Sequence, residues 1–315
     1  MEIFKKHIIG LEMDSKEIRA VEITGNKKNP AISAWGRIDL PEGAVKEGKV
    51  ADPDLLSECI VKLMGQNKFR GKNVVLGVNN QDIIVRFATF PKVPDDKIRS
   101  MVRMQAEDYI PVPLAELEVD YIVTGEKESE DRKFINVILV GARKKMIGDY
   151  IKSIERAGLN ITDIDSTMFA LGRSSLIFSN TGNFAVVGFN NDLGNIMIFN
   201  NGILEFARTV AISNTTEEGN VSGADLISNI LINEIRSSVN YYLSKNSVEI
   251  MKIFICGTDK NQEAVASQIR KITNIQVEIP DPYRTLKISG MNGAMGIDIS
   301  NYNACISLAL KGMGE

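Results

Sequence analysis

The 315-residue chain has little of several residue types that common catalytic and metal sites require. It contains one histidine, His7, so a Ser-His-Asp or Cys-His mechanism would have to use that residue, and a two-histidine zinc site is excluded. The three cysteines are too far apart for a disulfide framework or a metal cluster, so we expect small buried side chains in a reducing cytoplasm. The formal net charge of −3 argues against a general nucleic-acid binder, which would carry a basic excess.

Long apolar runs are also scarce. No stretch approaches the ~18 apolar residues of a membrane-spanning helix, and Glu12 interrupts the N-terminal apolar run too early for a signal peptide. The C-terminal residues have little of the basic, amphipathic character of a membrane-surface helix. We therefore expect a cytoplasmic protein without direct membrane insertion, which reaches a membrane through a partner.

The residues that are present are typical of an ordinary globular protein, with 44% apolar and 24% charged residues. At roughly 150 residues per domain, the length predicts two domains. Each half of the chain opens on a three-strand meander, the first over residues 7–38 and the second over 183–212. Residues 81–158 form a β-α-β-β-α segment between the halves. This duplication predicts a two-lobed α/β protein with a cleft between its lobes.

Apolar residues at helical spacing predict helices among these strands. The predicted helices cover residues 54–64, 95–109, 144–157, 166–179, 222–244, 260–272 and 301–311. We expect the apolar face of the second of them to pack on the sheet of residues 81–158 or to border a groove beside it.

Several segments carry a family resemblance when they are read in order. The most specific are QAEDYIP at residues 105–111 and the junction AGL…DID at residues 157–165. The opening IIGLEMDSKEIRAVEI, the helix EIRSSVNYYLS and the closing YNACISLAL extend the match over most of the chain. In this order the segments resemble the PilM family, the actin-like cytoplasmic proteins of the type IV pilus inner-membrane platform. That family is in turn similar to the cell-division protein FtsA.

The resemblance implies an actin-like two-lobed α/β fold, with an inserted α+β subdomain in lobe 1 and a reduced small subdomain in lobe 2. Lobe 1 would comprise residues 1–80 and 159–181, and the insertion residues 81–158. Lobe 2 would comprise residues 182–315, with its truncated small subdomain near 212–245.

The resemblance also implies a function as a scaffold. Such a protein would bind the N-terminal cytoplasmic tail of a PilN-like inner-membrane protein and link it to a PilB-like motor ATPase. It would lie at the inner face of the cell membrane through that partner, and self-association is compatible with the role. The groove for the tail would lie between lobe 1 and the insertion, where Arg86, Tyr109, Ile110 and Pro111 are the candidate contacts.

Actin-like ATPases hold phosphates with two hairpin turns, each with an Asp-x-Gly core. In the first turn, Glu12, Met13, Asp14 and Ser15 stand where the family has Asp-Ile-Gly-Ser. The glycine lets the backbone approach a phosphate closely, whereas Asp14 would direct a negative charge at it. Two like charges ~4 Å apart repel by about 1 kcal/mol in water and by several in a cleft.

The second turn admits two registers. Gapless counting places Gly188, Phe189 and Asn190 at the Asp-x-Gly positions and removes the carboxylate that would position Mg²⁺. The rival register uses the literal Asp-x-Gly of Asp192 and Gly194, at the cost of a shift and a shorter second strand.

The adenosine loop also departs from the family. It has Gly257 and Thr258 where the family has a run of glycines. Residues 211–228, between the second meander and the helix EIRSSVNYYLS, are also too few for the segment that carries the family's nucleoside contacts. Together these departures predict reduced or absent ATP binding, that is, a pseudo-ATPase with weak or no ATP hydrolysis, no catalytic residue and no metal site.

A structural interpretation of the turn residues is also open. Asp and Asn are common in turns because they bond to their own backbone. Glu12 and Asp14 would then form a solvated hairpin turn, and Asp192 and Gly194 would serve the second turn. His7 would be an exposed or capping imidazole.

Other functions remain as alternatives. In a functioning actin-like ATPase that binds ATP and Mg²⁺, Asp192 would supply the second-lobe carboxylate, and Asp192→Ala would abolish nucleotide binding. An FtsA-like membrane-tethered filament protein would need a membrane-binding tail. The cytoplasmic part of a type II secretion platform protein would precede a spanning helix. A sugar-kinase-like transferase would need a catalytic base, which the sequence does not place.

Overall fold

The computed structural model describes residues 6–26, 28–129, 132–179, 181–212, 223–246, 248–257, 262–284, 286–288 and 299–314. The described α-helices are α1 (Pro53–Gln66), α2 (Asp95–Gln105), α3 (Lys144–Arg156), α4 (Thr167–Ser175), α5 (Gly223–Lys245), α6 (Gln262–Thr273) and α7 (Asn303–Gly312). The strands are β1 (Lys6–Met13), β2 (Glu17–Asn26), β3 (Asn29–Asp39), β4 (Val45–Lys46), β5 (Lys49–Val50), β6 (Asn73–Val78), β7 (Ile84–Pro91), β8 (Leu117–Ser129), β9 (Arg132–Arg143), β10 (Asn160–Ser166), β11 (Asn183–Phe189), β12 (Leu193–Asn200), β13 (Ile203–Ala211), β14 (Lys252–Gly257), β15 (Gln276–Glu278) and β16 (Lys287–Ile288).

Two large sheets repeat one plan. The first has the order β10-β6-β1-β2-β3-β16 and the second the order β13-β12-β11-β14-β15. In each, an antiparallel meander is extended by parallel strands beside its first strand, β6 beside β1 and β14 beside β11. The two-lobed α/β architecture that the duplicated meanders predict is therefore confirmed.

A third sheet, with the order β7-β9-β8, lies in the chain segment between these two. Helix α2 covers this sheet, and its apolar side chains Ile98, Met101 and Val102 are buried in the core of the insertion. The apolar face of α2 therefore packs on the sheet of residues 81–158, which is the first of the two arrangements expected for it. The helix ends at Gln105 and continues as a 3₁₀ turn over Ala106–Asp108, because Pro111 prevents a longer helix. The predicted insertion in lobe 1 thus has its own sheet and its own core.

The helices form layers around the two large sheets. Helices α1 and α3 pack on the outer face of the first sheet, and α5 and α6 on the second. Helices α4 and α7 lie between the two sheets, in a core that includes side chains from both. The lobes are therefore joined by a continuous apolar base.

Helix α7 packs on the first sheet, although its residues fall within the range predicted for lobe 2. The contact is close because Gly10 of β1 has no side chain. A Cβ atom there would lie 1.8 Å from the carbonyl oxygen of Cys305. The short strand β16 also pairs with β3 of the first sheet. The domain boundaries themselves stay a prediction, and residues 213–222 of the predicted truncated subdomain lie outside the described residues.

Among the described residues, the helices are all too short or too polar to cross a bilayer.

Candidate functional site

The first predicted phosphate turn connects β1 and β2. The amide of Asp14 donates to the carbonyl oxygen of Glu17 (3.0 Å). Its carboxylate oxygen Oδ1 accepts from the amides of Lys16 (2.9 Å) and Glu17 (3.0 Å). Asp14 therefore holds the turn closed with its own side chain, as Asp does in Asx-turns.

The turn between β11 and β12 has the same construction. The amide of Asn190 donates to the carbonyl oxygen of Leu193 (3.0 Å). Its side-chain oxygen accepts from the amides of Asp192 (2.9 Å) and Leu193 (2.8 Å). Asn190 thus corresponds to Asp14, and Gly188 corresponds to Glu12. This is the correspondence that the gapless register requires, whereas in the rival register Gly194 lies within β12.

The two turns bind each other across the cleft between the lobes. The carboxylate of Asp192 accepts from the amide of Ser15 (2.8 Å) and from its hydroxyl group. In the opposite direction, the side-chain amide of Asn191 donates to Oδ2 of Asp14 (2.9 Å). Each lobe therefore contributes a carboxylate that binds donors of the other lobe.

Below the first turn lies a buried charge cluster centred on Arg19. Its guanidinium is 3.2 Å from Glu12, 3.1 Å from Asp14 and 2.5 Å from Glu17. Glu12 and Asp14 are 3% and 1% exposed, so the expectation of a solvated turn is wrong. The two carboxylates can be buried because Arg19 supplies the compensating charge and donors.

Burial is the largest single influence on the pKa values of this region. It raises the pKa of Glu12 and that of Glu17, although Arg19 lowers both. It also raises the pKa of Asp192, against the two hydrogen bonds from Ser15. Burial alone would lower the pKa of Arg19, but the three carboxylates raise it above its ordinary value. Arg19 is therefore the fixed positive charge of the site.

The space left for a ligand behind the turns is small. A cavity of about 10 Å³ lies between the two turns and helices α4 and α7, with Glu12 and Asn190 in its wall. That volume holds about one water molecule, whereas small-molecule sites have ~300–1,000 Å³. The described residues therefore leave no room for a nucleotide in the space directly behind the turns.

The glycines of the predicted nucleotide site are used for packing. A Cβ atom on Gly188 would lie 2.4 Å from Leu171, and one on Gly257 would lie 2.6 Å from the ring of Phe189. One on Gly194 would lie 2.5 Å from Leu231. Thr258, the remaining predicted residue, lies outside the described residues. Within the described ranges, no group of three or more histidine, cysteine or acidic side chains could hold a metal ion.

A large open concavity among the described residues is a groove between the insertion and the first sheet. It has a volume of about 630 Å³. Strand β8 lines one side, and β10 with the start of α4 lines the other. Among the described strands, β8 pairs with β9 alone and β10 with β6 alone. The groove is therefore bordered by two unpaired strand edges.

An ion-pair network forms the polar end of this groove. Lys311 binds Asp163 (2.8 Å) and Asp165 (3.0 Å), and Arg173 binds Asp165 (2.8 Å). Burial lowers the pKa of Lys311. The two carboxylates raise it by more than burial lowers it, so the net shift of the pKa is upward. The apolar part is formed by Val119, Ile122 and other side chains of the wall, and Ile122 is 47% exposed. A second concavity of about 340 Å³ shares Ile122 and extends the groove toward β13.

The four predicted contact residues lie elsewhere. Ile110 is buried in the core of the insertion, and the ring of Tyr109 packs edge-on against Phe90 at 5.4 Å between ring centres. Pro111 is exposed, and Arg86 lines a separate cavity of about 220 Å³ with Arg208. The groove residues were missed because the central strand of the third sheet is β9. Strands β7 and β8 lie at opposite edges of that sheet; β8 lines the groove beside β10, whereas β7 contacts β13 of the second sheet.

One other prediction concerned His7. Its Nδ1 lies 3.0 Å from the carboxylate of Glu22, which also accepts from the amides of Arg70 (2.9 Å) and Gly71 (2.5 Å). The imidazole is thus a partly buried partner of a structural carboxylate.

Comparisons with known proteins agree with this architecture. The chain is 23% identical over 302 residues to the cell division protein FtsA of Bacillus subtilis (strain 168), covering 86% of this chain and 68% of that protein. Its fold matches a solved PilM-PilN type IV pilus biogenesis complex with a TM-score of 0.84 at 20% identity, covering 98% and 99% of the two chains. It also matches the cytoplasmic domain of EpsL, an inner membrane component of the Vibrio cholerae type II secretion system. That match has a TM-score of 0.50 at 12% identity and covers 97% and 95%.

The model of the family described as type IV pilus assembly protein PilM matches residues 10–211, which include both hairpin turns and the whole insertion. The predicted actin-like two-lobed fold is confirmed. This chain belongs to the PilM family of type IV pilus assembly proteins.

Proposed function

We propose that this chain is a scaffold of a type IV pilus assembly platform that binds the cytoplasmic tail of a PilN-like membrane protein. The observation that carries the proposal is the groove of about 630 Å³ between β8 and β10. A solved relative of the same fold is a complex of PilM with PilN. Through that tail the scaffold would lie at the inner face of the cell membrane, and it would link the platform to a PilB-like motor ATPase.

The two strand edges are suited to an extended peptide. An unpaired edge presents a row of N–H and C=O groups, and a peptide that adds to it gains main-chain hydrogen bonds. Side chains of the peptide would contact the apolar wall at Val119, Ile122 and Phe169. The network of Asp163, Arg173 and Lys311 at the polar end would give the tail a fixed direction.

Replacing Ile122 tests this site. Ile122→Asp places a carboxylate on the apolar wall, so we expect at least a tenfold weaker affinity for a synthetic peptide of the PilN-like tail, or about 1.4 kcal/mol. Ile272→Asp is the matched control, because Ile272 is 46% exposed but lies on α6 of the second lobe. Fluorescence anisotropy with a labelled peptide measures both. Equal affinities of the two variants would reject this groove as the binding site.

We also propose that the scaffold works without ATP hydrolysis. The support comes from the cavity of about 10 Å³ behind the turns and from Asp14, whose carboxylate stands at the position of the family's phosphate-binding glycine. Calorimetric titration of the pure protein with MgATP should give no binding in the micromolar range. Micromolar binding accompanied by hydrolysis would contradict this part of the proposal and would favour the functioning-ATPase alternative.

A further inference from the structure

The contacts between the two hairpin turns point to a role that the tail-binding groove does not explain. They involve Asp14 and Ser15 of the first lobe and Asn191 and Asp192 of the second, 177 residues apart along the chain. We propose that these four residues form a clasp that holds the two lobes closed without a nucleotide.

The first half of the clasp is an anion-binding turn whose donors bind a carboxylate of the same chain, that of Asp192. A turn presents amide and hydroxyl donors that favour a negative group. At the β1–β2 turn, the donors are the N–H and O–H of Ser15, and both are taken by the carboxylate of Asp192. Two bonds to one carboxylate are charge-assisted and fix its orientation. The acid of the second lobe thus occupies the position that an anionic ligand would otherwise take.

The second half runs in the opposite direction. The side chain of Asn191 donates to Oδ2 of Asp14 (2.9 Å), and its backbone amide lies 3.4 Å from the same oxygen. Asp14 can accept these bonds because Arg19 balances its charge from below at 3.1 Å. Since Oδ1 of Asp14 already closes its own turn, one side chain couples the local turn to the other lobe.

The clasp lies on the side of the cleft that must separate when the lobes open. The apolar base formed by α4 and α7 joins the lobes on one side of the small cavity, and the turns meet on the other. Opening the cleft about that base separates the turns and breaks their contacts first. In this protein, side chains therefore supply the bridge that a bound ligand would supply in an open cleft.

Spin-label distances between the lobes test the clasp. Labels on Val61→Cys of α1 and Ile272→Cys of α6, in a Cys59→Ser background, report one distance per molecule, because Cys256 and Cys305 are buried. The parent should give one narrow distribution that MgATP leaves unchanged. Asp192→Ala should broaden and lengthen it, whereas the exposed Asp281→Ala should not. An unchanged distribution in Asp192→Ala, or a narrowing of the parent's on adding MgATP, would overturn the proposal.

A double-mutant cycle gives a second test that does not depend on labels. If Ser15 and Asp192 act as a pair, the double variant Ser15→Ala/Asp192→Ala should shift the urea midpoint by less than the sum of the shifts of the two single variants. Additive shifts would overturn the clasp. Asp192→Asn, which keeps the side-chain shape, replaces Asp192→Ala if the alanine variant does not fold. Tail-peptide binding is measured separately, so failure of the clasp and failure of the groove are distinguishable.

Discussion

Replacing Arg19 by methionine should destabilise the protein by about 3–5 kcal/mol, the range for removing one partner of a buried ion pair. The methionine keeps an unbranched chain of similar length, so the main loss is the charge and its donors. Glu12, Asp14 and Glu17 would then share a buried region without a counter-charge. Urea unfolding followed by circular dichroism measures the difference.

Arg37→Met is the matched control. Arg37 lies directly opposite Arg19 in the β2–β3 ladder and also approaches Glu17, at 3.7 Å, but it is 49% exposed. Exposed ion pairs contribute about 0–1 kcal/mol, so this variant should remain within about 1 kcal/mol of the parent. Similar losses in the two variants would show that Arg19 does not carry the compensating charge.

The loss in Arg19→Met should also depend on pH. Burial already raises the pKa of Glu12 and Glu17 above 4.5 in the parent, and without the arginine the pKa values in the folded state would rise further. The folded variant then binds more protons than the unfolded chain above pH 4.5, so its stability falls as pH rises. The deficit relative to the parent should therefore be larger at pH 7 than at pH 4.5.

Replacing Gly10 by alanine should cost about 3 kcal/mol or more, at or beyond the upper end of the usual range for overpacking. The new Cβ would lie 1.8 Å from the carbonyl oxygen of Cys305 and 2.8 Å from the backbone nitrogen of Ala309. Both atoms belong to the backbone of α7, so the whole helix would have to move away from β1. Thermal unfolding measures the loss.

Gly148→Ala is the corresponding control. Gly148 lies within α3, and a Cβ atom there would meet nothing within 4 Å. Alanine is favoured over glycine inside a helix by about 0.8–1.0 kcal/mol, so this variant should be slightly more stable than the parent. A Gly10→Ala variant as stable as the parent would mean that α7 does not pack on β1 at this distance.

Much of the secondary structure followed from local patterns. The meander strands and the helices over 54–64 and 144–157 were predicted because apolar spacing, Pro53 and Gly158 mark them. Gly158 has a φ of +77°, which glycine adopts freely after a helix. Strand β16 was missed, because two residues at the edge of a sheet carry no periodic signal.

One part of the buried charge cluster, the pairing of Glu12 with Arg19, could have been predicted from the sequence but was not. In the β1–β2 hairpin, Met13 pairs with Ile18 and therefore Glu12 lies directly opposite Arg19. Counting outward from the turn gives this pair from the sequence alone. The contact of Ser15 with Asp192 had no comparable signal, since it depends on how two distant hairpins meet across the cleft.

The order of strands in the third sheet was likewise beyond local patterns. Both β7 and β8 are neighbours of β9 in the sheet, and the sequence does not say which of them faces the first lobe. Arg86 was predicted as a contact residue on β7, whereas the groove that we propose as the binding site lies along β8.

The return of α7 to the first sheet has a consequence for the order of folding. Lys6 of β1 donates to the carbonyl oxygen of Gly312, 306 residues further along the chain, and α7 covers the inner face of β1, β2 and β6. Contacts at such separation form late, because loop closure must come first. The second sheet and the insertion use nearby strands and can form earlier. The contacts that cover the apolar inner face of the first sheet are therefore expected among the last to form, so this face is the part of the chain most prone to aggregate during refolding.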